Sequence, residues 1–147
     1  MIDQRITVLT LAADDLPRMR NFYEGALGWK PVAANDDIAF YQMNGFLLSI
    51  TGRKFIAELI GISPEGSGFR GTTISYNVAT EQQVRDIYDD LKSKGVKILT
   101  APTAPPFGGL YFYFQDVESN VLEVACNDFI PMDADGNALG HKPIDQL

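Results

Sequence analysis

One cysteine, one histidine and one tryptophan are all that the 147 residues hold of those types. The single Cys126 excludes an internal disulfide, which fits a reducing compartment. A catalytic thiol needs a base beside it, and the lone His141 stands in the polar tail, so Cys126 reads as a small core residue. Zinc-type Cys/His spacing is absent, and so are a glycine-rich phosphate loop and any cluster of basic residues. Twelve basic residues face 19 acidic ones, and the formal charge of −7 argues against nucleic acid or an anionic membrane as partner. No apolar run approaches the roughly 18–20 residues that span a bilayer. The opening MIDQRITVLTL lacks the basic-then-apolar pattern of a signal peptide, so a cytoplasmic location is expected.

What remains is an ordinary globular composition, 46% hydrophobic and 21% charged, in a chain long enough for one domain with a real core. Its two halves resemble each other. In ITVLTLAADDLPRMRNFYEGALGW an apolar strand, Ile6 to Leu11, leads to Asp15 as N-cap and Pro17 in the first helical turn. Leu16, Met19, Phe22, Tyr23, Ala26 and Leu27 share one helical face, and Gly28 closes the helix. In TTISYNVATEQQVRDIYDDLKSKGV a strand from Thr72 to Val78 meets Thr80, which forms a capping box with Gln83. Val84, Ile87, Tyr88 and Leu91 make the stripe, and Gly95 ends the helix. Laid over each other, the segments place Phe22-Tyr23 on Ile87-Tyr88 and Asp15 on Thr80.

Short strands follow each helix: Trp29–Ala34, Ile38–Met43 and Phe46–Thr51, then Lys97–Thr100, Leu110–Gln115 and Asn120–Ala125. GRKFIAELIGI reads as a linking helix and SPEGSGFRG as a loop. The pattern is βαβββ twice, an internal duplication of an α+β unit.

Strand, Asp-Leu, helix with Phe-Tyr, Leu-Gly-Trp and a second half ending in YFQDVESNVLEVACN together resemble the vicinal oxygen chelate superfamily. That group includes glyoxalase I, extradiol dioxygenases, fosfomycin-resistance proteins and bleomycin-binding proteins. The resemblance runs from about Arg5 to Asn127. It implies an α+β fold of two βαβββ modules forming a cupped mixed sheet, and a homodimer. Residues 1–147 are then a single glyoxalase-like domain. Its modules are 5–51 and 71–127, joined by a helix and loop at 52–70 and followed by a tail at 128–147. The fold itself does not fix the chemistry.

In such enzymes the first and last strands of the modules supply metal ligands. The resemblance places those positions on Val8, Ser49, Thr73 and Glu123. Valine has no donor and neutral hydroxyls are poor ones for divalent transition metals, so no metal and no other cofactor is expected. Strand alternation puts Thr10, Thr73, Ser75, Asn77, Tyr111, Tyr113 and Gln115 on the cleft side with Glu123. Ile74, Tyr76 and Val78 are expected to pack the core, and Phe40, Phe46 and Trp29 to stand at the cleft edges. The spacing of Tyr113 and Glu123 resembles the Tyr–Glu arrangement of extradiol dioxygenases.

Glu123 is thus open to three readings: a metal ligand, a ligand anchor, or an edge carboxylate meeting water. Tyr111 and Tyr113 are open to two, ligand contact or packing with wet hydroxyls. The expected ligand contacts are Thr10, Ser49, Thr73, Ser75, Tyr111, Tyr113 and Glu123, around a small, partly planar molecule with a cationic or hydrogen-donating group. The favoured function is binding of such a molecule. The rival is a lyase, isomerase or dioxygenase, either metal-dependent through atypical ligands or metal-free on Glu123 and Tyr113. APPFGGLYF reads as a lid or an ordinary turn, and DADGN as a solvated turn rather than a calcium loop.

Overall fold

Alternation of buried Leu11 and Ala13 with outward Thr10 and Ala12 makes the first strand, β1 (Val8–Ala13), of the computed structural model. The structure describes residue 4 and residues 8–61, 63–68, 70, 72–106 and 108–142. Ile6 and Thr7 of the expected strand, Ile62, Phe69 and Gly71 of the linker, Phe107, and residues 143–147 of the tail lie outside them.

The chain divides into two units, Met1–Gly68 and Phe69–Leu147. In the first, β1 is followed by α1 (Leu16–Asn21), whose N-cap Asp15 accepts the backbone N–H of Arg18 at 3.0 Å. The helix then widens into one π turn, Phe22–Ala26, so the expected continuous α-helix changes pitch midway. The turn carries Tyr23, whose ring lies 5.2 Å from Trp29 and 6.4 Å from Tyr41. Trp29 therefore packs among these core aromatics rather than at a cleft edge.

Three strands complete the unit: β2 (Ala33–Ala34), β3 (Ile38–Gln42) and β4 (Leu47–Gly52), followed by α2 (Arg53–Ile60). The sheet order is β1-β4-β3-β2, with β1 parallel to β4 and the other pairs antiparallel. The expected strand at Trp29–Ala34 shrinks to its last two residues because the Trp29 N–H is given to the Tyr23 carbonyl at the helix end.

The second unit repeats the plan with β5 (Thr73–Asn77), α3 (Glu81–Ser93), β6 (Lys97–Ile98), β7 (Leu110–Gln115) and β8 (Val121–Cys126), ordered β5-β8-β7-β6. Thr80 and Gln83 form the capping box in full. Val84 and Leu91 are buried, and Tyr88 meets Phe112 edge-on at 5.4 Å. On β7, Leu110, Phe112 and Phe114 are buried while Tyr111, Tyr113 and Gln115 are half-buried on the other face. That alternation is the one the sequence predicts.

Tyr76 departs from expectation: it is 58% exposed, not in the core. β5 is the edge strand and α3 packs on β8 and β7, so the helix-side face of β5 is left uncovered at that point. The expected strand Lys97–Thr100 stops at Ile98, where a bulge begins. Leu99 and Thr100 both donate their N–H to the Tyr113 carbonyl, at 2.8 and 3.2 Å.

The turn joining β7 to β8 is held by Asp116, which is buried. Its carboxylate accepts the N–H groups of Glu118 and Asn120 and the Asn120 side-chain amide. Before β7, the Pro105 carbonyl accepts the Gly108 N–H at 3.1 Å, closing an ordinary turn.

Gly108 and Gly109 both adopt left-handed backbone, at φ +92° and +87°. A Cβ on Gly108 would meet open space, whereas one on Gly109 would overlap the Cys126 carbonyl oxygen. Gly108→Ala is therefore expected to cost about 1–2 kcal/mol from backbone conformation alone. Gly109→Ala should cost clearly more, because β8 must also shift. Urea unfolding of both variants checks the order, and equal losses would contradict the close approach.

Candidate functional site

Register builds the site. In the parallel β5–β8 pair Ser75 lies opposite Glu123, and in the antiparallel β7–β8 pair Tyr113 lies opposite the same Glu123. Three strands thus contribute Ser75, Glu123 and Tyr113 at one level. The Ser75 hydroxyl donates to Glu123 Oε2 at 2.6 Å. Tyr113 stands opposite Glu123 on the neighbouring strand, and the Glu123 carboxylate beside its phenol is the main reason it is pushed up to about 12, with burial next. The Tyr113 backbone N–H is itself held by Thr100 Oγ1 at 2.8 Å, on the bulge.

A cavity of about 540 Å³ opens over this row, entirely within the second unit. Ser75, Tyr111, Tyr113 and Glu123 line it together, with Asn77 one level along. The rings of Tyr111 and Tyr113 stand edge to face, 5.6 Å apart. Thr73 is exposed on the same strand but is not among the lining residues.

In the first unit the equivalent level reads Thr10 on β1, Ser49 on β4 and Phe40 on β3. Thr10 and Ser49 bond each other through their hydroxyls at 2.7 Å, and Ser49 is only 1% exposed. Carboxylate and phenol in one unit correspond to hydroxyl and phenyl in the other.

Several wall residues escaped the reading of strands. Thr103 pairs with Tyr111 beyond the bulge, and Pro105 and Pro106 continue that wall. Ile130 arrives from the tail, after β8 has ended. Cys126 is half-buried on the cavity wall rather than packed in the core; burial, then Asp128 and Glu81, push its thiol up, away from nucleophile character. His141 is exposed, with Nδ1 2.6 Å from the Lys142 carbonyl and its ring stacked on Phe129, and it does not line the cavity. In the DADGN turn Asp133 accepts the N–H groups of Asp135 and Asn137 and the Asn137 amide. Its carboxylate is spent on closing that turn.

The chain belongs to the Glyoxalase/Bleomycin resistance protein/Dioxygenase superfamily, whose family model matches residues 5–124. Among solved structures it is similar to a glyoxalase-related enzyme from Fulvimarina pelagi, with 34% identity and a TM-score of 0.85 over 94% of this chain and 99% of that one. A glyoxalase/bleomycin resistance protein/dioxygenase from Nocardioides shares the fold at 19% identity and TM-score 0.76, over 97% of this chain and 92% of that one. So does a lactoylglutathione lyase from Agrobacterium tumefaciens, at 16% identity and TM-score 0.69, over 86% of this chain and 96% of that one. No curated protein matches the chain.

The family's metal positions here, Val8, Ser49, Thr73 and Glu123, include one carboxylate and no imidazole. Glu123 already accepts Ser75, and Ser49 is bonded to Thr10. Among the described residues no group of three or more His, Cys, Asp or Glu side chains is placed to hold a metal ion. The donor set does not fit a divalent cation.

The Tyr113 shift carries a pH signature. A phenol with a higher pKa folded than unfolded contributes stability that is complete below about pH 10 and is lost as the pH rises toward about 12. Tyr41 is also pushed up to about 12, by burial first and Glu24 second, so the two titrate together. Ultraviolet titration of Glu123→Gln should bring one tyrosine back toward 10 and leave the other, whereas Tyr113→Phe should remove that one. Two unmoved high-pH phenols in Glu123→Gln would contradict the influence of Glu123 on Tyr113.

Proposed function

We propose that the protein binds a small organic molecule in the cavity of the second unit, without a metal or other cofactor. The observation that carries this reading is the alignment of Ser75, Glu123 and Tyr113 on three neighbouring strands beneath a cavity of about 540 Å³. That volume falls within the ~300–1,000 Å³ of small-ligand sites. Ser75, Tyr111, Tyr113 and Glu123 are the expected polar contacts that line this cavity, and Thr10, Ser49 and Thr73 are not among its lining residues. Binding for sequestration accords with the bleomycin-resistance branch of the family. A homodimer in the cytoplasm belongs to the same reading, drawn from the family resemblance and from the lone cysteine. Among the described residues no helix is long and apolar enough to cross a membrane.

A second reading takes the same residues as a metal-free acid–base pair in a lyase, isomerase or dioxygenase of the superfamily. It is favoured by the 34% identity to a protein described as a glyoxalase-related enzyme. In that reading Glu123 takes a substrate proton and Tyr113 donates a hydrogen bond to the charge that develops.

Thermal unfolding with a panel of small neutral and charged aromatic fragments tests the binding reading. A fragment held only by the folded state adds about 2.7 kcal/mol at a hundred times its dissociation constant. Ser75→Trp, made at an exposed position that tolerates bulk, should fill the cavity and abolish the shift. Absence of any stabilising fragment, or stabilisation that survives Ser75→Trp, would overturn the assignment. Turnover of a bound compound, lost in Glu123→Gln while binding persists, would favour the second reading.

A further inference from the structure

We infer that the cavity selects an organic cation bearing N–H groups, an ammonium or amidinium on a small apolar body; this rests on the binding reading above. The argument is about where the protons point. Ser75 gives its hydroxyl proton to Glu123 at 2.6 Å, and Tyr113 stands opposite the same Glu123 on the neighbouring strand. A hydroxyl that donates inward presents only its lone pairs outward. The row therefore offers the ligand the Ser75 oxygen and the remaining lone pairs of Glu123 as acceptors. Among the described residues that line the cavity, none is Lys, Arg or His, so no cationic side chain there answers an anion.

The surroundings have the same sign. Burial first, then the charges of Asp128 and Glu81, push up the thiol of Cys126 on the cavity wall, so negative charge reaches that wall as well. The paired rings of Tyr111 and Tyr113 add two aromatic faces, which attract a cation within about 6 Å. Pro105, Pro106 and Ile130 supply the apolar wall for the body of the ligand. A carboxylate or phosphate ligand would meet the Glu123 carboxylate with no cationic side chain to offset it, since Asn77, Asn127 and Tyr111 offer neutral donors only.

Benzamidine, benzamide and benzoate form a planar series of nearly one shape and three charges. Calorimetric titration of the wild-type protein should give binding in the order benzamidine, then benzamide at least about tenfold weaker, with benzoate undetected. Benzylamine against benzyl alcohol repeats the comparison for an ammonium and separates it from the amidinium. Glu123→Gln, which keeps shape and removes charge, should weaken the cations by roughly 10- to 100-fold and leave benzamide nearly unchanged.

Equal or tighter binding of benzamide or benzoate would overturn the charge assignment while leaving the cavity a small-molecule site. Failure of both cations to bind, with neutral fragments stabilising the protein, would do the same. Because the charge series is read on the wild-type chain, the conclusion does not depend on any variant folding.

Discussion

Parallel pairing of the first strand with the last in each unit is the constraint from which the rest follows. It brings β1 beside β4 and β5 beside β8, strands far apart in sequence, in fixed register. One face of each pair is covered by buried apolar side chains, such as Leu48 and Ile50 or Leu122 and Val124. A one-residue slip would turn those side chains outward, so burial fixes the register. Once it is fixed, Ser75, Glu123 and Tyr113 have no choice but to meet.

The duplication makes the chemistry asymmetric. At equivalent levels the first unit holds Thr10, Ser49 and Phe40, and the second holds Ser75, Glu123 and Tyr113. In the first, two neutral hydroxyls satisfy each other beside a phenyl ring. In the second, a carboxylate accepts the Ser75 hydroxyl beside the Tyr113 phenol and leaves a polar, negatively charged row at the cavity floor. The superfamily's fold is present, while among the described residues no group of three or more His, Cys, Asp or Glu side chains is placed to hold a metal ion. A carboxylate without a metal must be satisfied by hydrogen bonds, and Ser75 provides one.

Much of this was legible in the residues. The helix starts at Asp15 and Thr80 were, because capping is local and each signal lies within four residues. Alternation along Leu110–Gln115 gave the right faces, since β7 lies inside the sheet and α3 covers one side. The same rule misplaced Tyr76, because alternation does not say which strand is an edge left uncovered by the helix. Trp29 was misread because its partners Tyr23 and Tyr41 come from a helix end and a distant strand. The cavity wall was the least legible part. Thr103, Pro105 and Ile130 reach it through a bulge, a turn and a returning tail, and no periodicity records where such segments land.

The central claim is that Glu123 serves as an organic-ligand anchor and no longer as a metal ligand. Thermal unfolding of chelator-treated protein, with and without Ni²⁺, Zn²⁺, Mn²⁺ or Fe²⁺, tests it most directly. The account predicts no shift with any of the four ions at concentrations that saturate an ordinary metalloenzyme site. A clear stabilisation that Glu123→Ala abolishes would contradict it and return the site to metal chemistry.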